Sequence, residues 1–221
     1  MKLECPTCKA SYWQQINDHP ASLVKRRSGD PFDFVKCYQS WKLKPNQQYS
    51  QFGEDGLIES LFEFLGTTNR YCFEFGASDG VHFSNTKHLR NQGWRGILIE
   101  ANDKWMKRLR GEASGSVAVE HATVTPDNVN DLLADLPLDS DFGSIDVDGQ
   151  DYWIWDALEV VRPYVVCIEY NPRRPDEVIP ERGIDLPNRQ ATLGKLAALG
   201  LRKGYTLAAQ TFCNLLFVLD F

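Results

Sequence analysis

Three groups of residues in this 221-residue chain have types and spacings that can do chemistry. The first is Glu74-Phe75-Gly76-Ala77-Ser78-Asp79-Gly80, which closes a short apolar run, Tyr71–Phe75. Gly76 and Gly80 let the backbone turn sharply and lie close to a ligand, because no Cβ intervenes. The spacing is not the GxGxxG of a dinucleotide fold, where a helix N-terminus receives a pyrophosphate. S-adenosylmethionine has no pyrophosphate but carries an ammonium and a sulfonium, and acidic side chains such as Glu74 and Asp79 suit that cationic ligand. The competing reading is a structural strand-to-helix turn.

The second group is Glu100 with Ala101, 20 residues beyond Gly80, at the end of the next apolar run, Gly96–Glu100. In nucleotide-binding folds an acidic residue here accepts hydrogen bonds from ribose hydroxyls. A solvated carboxylate at a strand end is the plainer alternative. The third is Ser144-Ile145-Asp146-Val147-Asp148-Gly149-Gln150-Asp151-Tyr152, with Glu169-Tyr170-Asn171 ending the following run. Asp146, Asp148, Glu169 and Asn171 are hard oxygen donors for Mg²⁺ or Mn²⁺ if they converge. Such an ion would hold a substrate hydroxyl and lower its pKa. Helix capping by Asp148 and hydrogen bonding by Glu169 explain the same residues without a metal, and both readings stand. His82 and His88 flank the start of the helix expected after the glycine loop. His82 is close enough to the loop to serve as general base, and an exposed helix-terminal histidine is the alternative.

The elements that must position these groups follow from periodicity. Leu57, Ile58, Leu61, Phe62 and Leu65 recur at helical spacing before Gly66. Strands are expected at 71–75, 96–100, 117–122, 142–147 and 164–170, with helices between them up to about Gln92 and around 104–110, 129–134 and 151–160. After a proline-rich loop, Pro172–Pro187, a helix at about 190–203 precedes strands at 205–210 and 215–219. Strands separated by helices pair in parallel through right-handed crossovers. The short link around Phe212-Cys213-Asn214 admits only an antiparallel hairpin. The expected fold is therefore an α/β, doubly wound, mostly parallel seven-stranded sheet with a C-terminal antiparallel hairpin and an antiparallel edge strand. Open sheets of this kind bind ligands at the carboxyl ends of their strands, where all three groups fall. Tyr152 and Trp155 share a helical face that reads as core, with Tyr152 nearest the ligand edge. Arg173 and Arg174 open the long loop, where they would grip an anionic substrate or simply be solvated.

In that order Gln51-Phe52-Gly53-Glu54-Asp55-Gly56, Glu74–Gly80, Ser84-Asn85-Thr86, Gly93–Glu100, Ile145–Gly149 and Ile168–Asn171 resemble the FkbM-type methyltransferases, a branch of the class I adenosylmethionine-dependent enzymes. The resemblance spans roughly 49–221. It implies an S-adenosylmethionine cofactor and methyl transfer to a hydroxyl on a small molecule or sugar. By position it implies that Glu74, Gly76, Ala77, Ser78, Asp79 and Gly80 line the methionine end, that Glu100 and Ala101 take the ribose, and that Asn85 lies near the cofactor. Asp146 falls near the reacting methyl. Ser78 stands where many methyltransferases have glycine. A non-catalytic Rossmann-like binding or assembly module is the competing function.

Composition narrows the field. A formal net charge of -6 disfavours coating a nucleic acid. No apolar run reaches the roughly 20 residues of a membrane span, and the first residues lack a signal-peptide core. Six cysteines, some inside apolar runs, fit a reducing cytoplasm better than a disulfide scaffold. Residues 1–45 read as an extension distinct from the domain at 46–221. Within it Cys5 and Cys8 form half of a zinc knuckle, with His19 and Cys37 at no common spacing, so no zinc site is assigned. The oligomeric state is not legible in the sequence.

Overall fold

The apolar runs meet in one seven-stranded sheet of order β3-β2-β1-β4-β5-β7-β6. The computed structural model describes residues 46–173, 178–183 and 190–220. The Cys5–Cys8 knuckle, His19, Cys37 and Arg174 lie outside them. The first helix, α1 (Glu54–Leu65), buries Leu57, Ile58, Leu61, Phe62 and Leu65 on one face and stops where the Gly66 N–H donates to Phe62 O. Its start is anchored by Asp55, whose Oδ2 accepts the backbone N–H groups of Gln48, Tyr49 and Ser50. The segment before the helix is thereby folded back, and Tyr49 meets Phe83 and Asn91.

The central strand β1 (Tyr71–Phe75) pairs in parallel with β2 (Arg95–Glu100) on one side and β4 (Phe142–Ile145) on the other. Beyond them lie β3 (Val117–His121) and β5 (Val165–Glu169), both parallel as well. Because the chain runs outward from β1 first to one side and then to the other, a crevice opens between the carboxyl ends of β1 and β4. The connecting helices are α2 (Lys87–Asn91), α3 (Asp103–Leu109), α4 (Val129–Leu132) and α5 (Asp151–Ala157), followed by α6 (Leu193–Arg202). Among the described residues no helix is long and apolar enough to cross a membrane.

The closing hairpin, β6 (Tyr205–Gln210) and β7 (Asn214–Leu219), is antiparallel as the sequence predicts, but the antiparallel strand is not the edge. β7 pairs with β5 and lies between it and β6. Every β7 residue is buried, whereas Thr206 and Gln210 of β6 are partly exposed, so the apolar strand takes the inner place. The aromatic run after β4 is mostly core. Trp155 is fully buried and packs edge-on to Tyr205, with ring centroids 5.5 Å apart. Tyr152 is buried too, against Trp153, and does not reach the ligand edge.

Another expectation needs correction. The stretch after the glycine loop is not helical until Lys87. Ser78, Gly80 and Phe83 all have left-handed backbones (φ 48°, 76° and 63°), which no helix tolerates. The Ser84 hydroxyl then accepts the backbone N–H of Lys87 and starts the short α2. His82 therefore sits in a loop, five residues before the helix.

Candidate active site

The turn after β1 is built on a close approach. A Cβ on Gly76 would come within 1.7 Å of the Asp146 carbonyl oxygen, so glycine here lets the ends of β1 and β4 touch. Its φ of 64° also favours glycine. Ala77 donates to Ile99 O at 3.1 Å and Ser78 donates its N–H to Glu100 Oε2 at 2.7 Å, stitching the turn to the end of β2. Glu100 Oε1 accepts the Asn102 N–H at 2.7 Å. Glu100 is thus fixed at the strand end, on the wall of the crevice. Gly80 is placed differently. It faces away from the crevice, against Leu109 and Glu112.

Glu74, at the floor, is spent on the protein itself. It accepts from the hydroxyls of Ser84 (2.7 Å) and Thr86 (2.5 Å) and from the Asn85 N–H (2.7 Å). Burial pushes its carboxyl above the usual range, while the Arg90 guanidinium and these three donors pull it back. The Asn85 side-chain amide donates to Ser144 Oγ at 3.1 Å, and its Oδ1 is buried without a hydrogen-bond partner among the described residues. Asp79 does not line the crevice either. Burial opposes its ionisation, but donors from Val81 and His82, including His82 Nδ1 at 2.8 Å, outweigh it and hold its carboxyl below the usual range. The paired imidazole is 79% exposed and borders the crevice. His88 lies elsewhere, against Glu59 and Gln92.

The opposite end is acidic. Carboxylate oxygens of Asp146, Asp148 and Glu169 lie within 4.8 Å of one another. Asn171 does not line the cleft. Its Oδ1 accepts the Arg173 N–H and its own N–H donates to Ala191 O, because the chain bends once β5 ends at Glu169. Nor does Asp148 cap α5. The N-cap is Gln150, which makes no side-chain cap bond; Asp151, the first helical residue, instead braces the preceding turn by taking the N–H groups of Val147 (2.7 Å) and Gly149 (3.0 Å), while Asp148 stands exposed with φ 64°. Burial, and then the neighbouring Glu169, Asp151 and Asp148 charges, raise Asp146 well above the usual carboxylate range. Burial and the Asp151 charge push Glu169 up to about 7. Burial, helped by the Asp148 charge, raises Asp151 to about 7 against its backbone hydrogen bonds.

Between these ends runs a cleft of about 730 Å³ along the carboxyl edge of the sheet, well within the range for a small-molecule ligand. Gly76, Ala77, Ser78, Ala101 and Ser84 join Glu74, Glu100, Asp146, Asp148 and Glu169 along it. It also takes residues to which the sequence reading gave no site role, among them Gln51, Trp105 and Arg182. Gln51 belongs to the folded-back segment. Trp105 follows Asn102, whose side chain caps α3 through the Lys104 and Trp105 N–H groups. Arg182 pairs with Asp127 at 3.1 Å, and its segment is pinned by Gln150, which accepts the Gly183 N–H, and by Trp153, whose indole donates to Pro180 O. Only the Gln51 motif left a mark in the sequence. Trp105 reads as one residue of an amphipathic helix, and Arg182 sits in an aperiodic loop.

The fold is that of the class I methyltransferases. Over 94% of this chain and 96% of the other, it superposes on the O-methyltransferase from Bacillus cereus in complex with SAH, at 16% identity and a TM-score of 0.52. A second neighbour is the 1,6-didemethyltoxoflavin-N1-methyltransferase of Burkholderia thailandensis, bound to 1,6-didemethyltoxoflavin and S-adenosylhomocysteine. There the coverage is 90% and 93%, with 14% identity and a TM-score of 0.51. A third is the N-terminal domain of EvdMO1 with SAH bound, covered 94% on both sides at 14% identity and a TM-score of 0.50. Some neighbours are longer, and this chain spans 53% of the pyocyanin biosynthetic protein PhzM. No protein-family model matches the chain, and no curated protein does.

Proposed function

We propose that this chain is an S-adenosylmethionine-dependent methyltransferase, acting on a hydroxyl of a small molecule or sugar. The observation that carries the proposal is the cleft itself. It starts at a fixed strand-end carboxylate, Glu100, passes the glycine turn, and ends at the acidic group of Asp146, Asp148 and Glu169. Glu100 keeps free lone pairs for the ribose hydroxyls. The ammonium and sulfonium fall between Glu74 and Asp146, where negative charge and backbone carbonyls favour a cation. Neighbours of the same fold carry SAH in their structures, which supports the same class of ligand here.

The donor set also fits a hard divalent cation. Asp146, Asp148 and Glu169 would hold Mg²⁺ or Mn²⁺, which when bound supplies a polarised acceptor oxygen. The chain's own residues orient the acceptor hydroxyl against this acidic wall. His82, held by Asp79, or a carboxylate of that wall takes the departing proton. Methyl transfer is then an in-line displacement governed by positioning and electrostatics in the cleft. The three described cysteines are free and buried, which fits the reducing cytoplasm.

Calorimetric titration of the full chain with S-adenosylmethionine, S-adenosylhomocysteine and NAD tests the proposal. The expected result is micromolar binding of the first two and none of NAD. Failure of both to bind leaves the non-catalytic binding or assembly module as the function.

A further inference from the structure

The segment 80–86 presents His82, Phe83 and Ser84 to the cleft, yet little in it is self-supporting. It contains no helix or strand. Phe83 is held in a left-handed backbone with its side chain 64% exposed, two costs that persist only where surrounding contacts fix the chain. Its own backbone is tied outward through N–H groups, Gly80 to Ala77 O, Val81 and His82 to Asp79 Oδ1, Phe83 to Tyr49 O and Asn85 to Glu74 Oε1.

What spans both ends of the segment is Arg90, on α2 and outside the cleft. Its Nη2 donates to the Gly80 carbonyl and to Ser84 Oγ (3.4 Å), and its Nε donates to Thr86 Oγ1 at 3.1 Å. Nη1 donates to Glu112 Oε2 at 2.7 Å, an oxygen shared with Lys87 Nζ. The side chain is 4% exposed, so the fork is fully committed. Through Ser84 and Thr86 it continues to Glu74 on the cleft floor. The result is one unbroken set of hydrogen bonds from the floor to the end of α3. A lysine would keep the charge but cannot reach four acceptors in three directions.

We propose that Arg90 is a positioning residue, fixing the 80–86 segment in the form that completes the cofactor cleft. This rests on the cofactor reading above. The residue touches no cofactor atom and acts through Gly80, Ser84 and Thr86.

The test uses the full chain with Arg90→Lys and Glu112→Gln, and Val161→Ala as a control. Val161 is buried at the opposite end of β5, so its truncation destabilises the fold without touching the segment. S-adenosylhomocysteine affinity is read by calorimetry well below each variant's melting temperature, and amide hydrogen exchange is read at 81–86. Arg90→Lys is expected to weaken S-adenosylhomocysteine about tenfold and to speed exchange of these amides, while Val161→Ala changes neither. Glu112→Gln, which keeps the arginine but loosens its anchor, moves both in the same direction and serves if Arg90→Lys does not fold. Unchanged affinity, unchanged exchange, or an equal affinity loss in Val161→Ala overturns the proposal. If the unaltered protein binds no S-adenosylhomocysteine, the cofactor reading fails. The exchange arm then still decides whether Arg90 holds the segment.

Discussion

Asp146, one residue past β4, and Glu169, at the end of the neighbouring parallel strand β5, bring carboxylate oxygens within 4.8 Å of each other. Two carboxylates held so close away from water repel one another when both are ionised, which favours the protonated form. The acidic end of the cleft is therefore partly protonated near neutrality unless a cation takes the proton's place.

That arrangement sets a pH dependence. Glu169 and Asp151 titrate at about 7 in the fold, against roughly 4 for unfolded carboxyls. Between those values the folded chain binds more protons than the unfolded one, so stability falls as pH rises from about 4 to about 7. Asp79 and Glu112 are shifted down and act below that window, where their contribution is lost on acidification. Glu169→Gln is expected to flatten the slope by about 1–3 kcal/mol across the window, measured by urea unfolding at a series of pH values. An unchanged slope would show that Glu169 does not titrate in this window.

A divalent cation should reverse this penalty. Mn²⁺ is expected to raise the melting temperature at pH 7 by about 2–4 °C, with proton release on binding. Asp148→Ala and Glu169→Gln abolish the rise, whereas Asn171→Ala keeps it, because Asn171 points elsewhere. Turnover unaffected by EDTA would remove the ion from the reaction.

Gly76→Ala should be among the most damaging small substitutions in the chain. The added methyl meets the Asp146 carbonyl, so β1 and β4 must part. A loss of more than about 3 kcal/mol in equilibrium unfolding is expected. A folded, stable Gly76→Ala protein would mean that the strand ends can separate cheaply.

Ser78 occupies a left-handed backbone that costs an L-residue about 1–2 kcal/mol, partly offset by its N–H bond to Glu100. Ser78→Gly relieves the strain and pays back some chain entropy, for a net gain of up to about 1 kcal/mol. Ser78→Val should lose at least as much. Thermal unfolding of the two variants distinguishes them.

Glu100→Gln leaves one acceptor at the strand end and removes the charge. S-adenosylhomocysteine affinity should drop about 10- to 100-fold, the usual worth of a hydrogen bond to a charged group. An unaltered titration would take the ribose away from Glu100.

What was legible in the chain follows from how each feature is encoded. Apolar runs with glycine stops mark β1 to β5 and place Glu100, Asp146 and Glu169 at strand ends, because strand periodicity is a local signal. Asn171 misleads, since its spacing from Glu169 implies a shared face only if the strand continues. The stretch after the glycine loop reads as helical earlier than it is, because Phe83 gives no hint of a left-handed backbone. Arg182 and the Arg90 network are invisible for another reason. They depend on contacts across long stretches of chain, which spacing does not record.

The inner place of β7 dictates an order of assembly. β6 emerges earlier yet lies farther out, so it has no partner on the sheet until β7 has slotted in beside β5. Until then the apolar flank of β5, Val165 to Ile168, is an open template for pairing with another copy. Damage to the tight link at Thr211–Cys213 would thus show itself first as clumping during refolding, ahead of any loss in the finished molecule's stability.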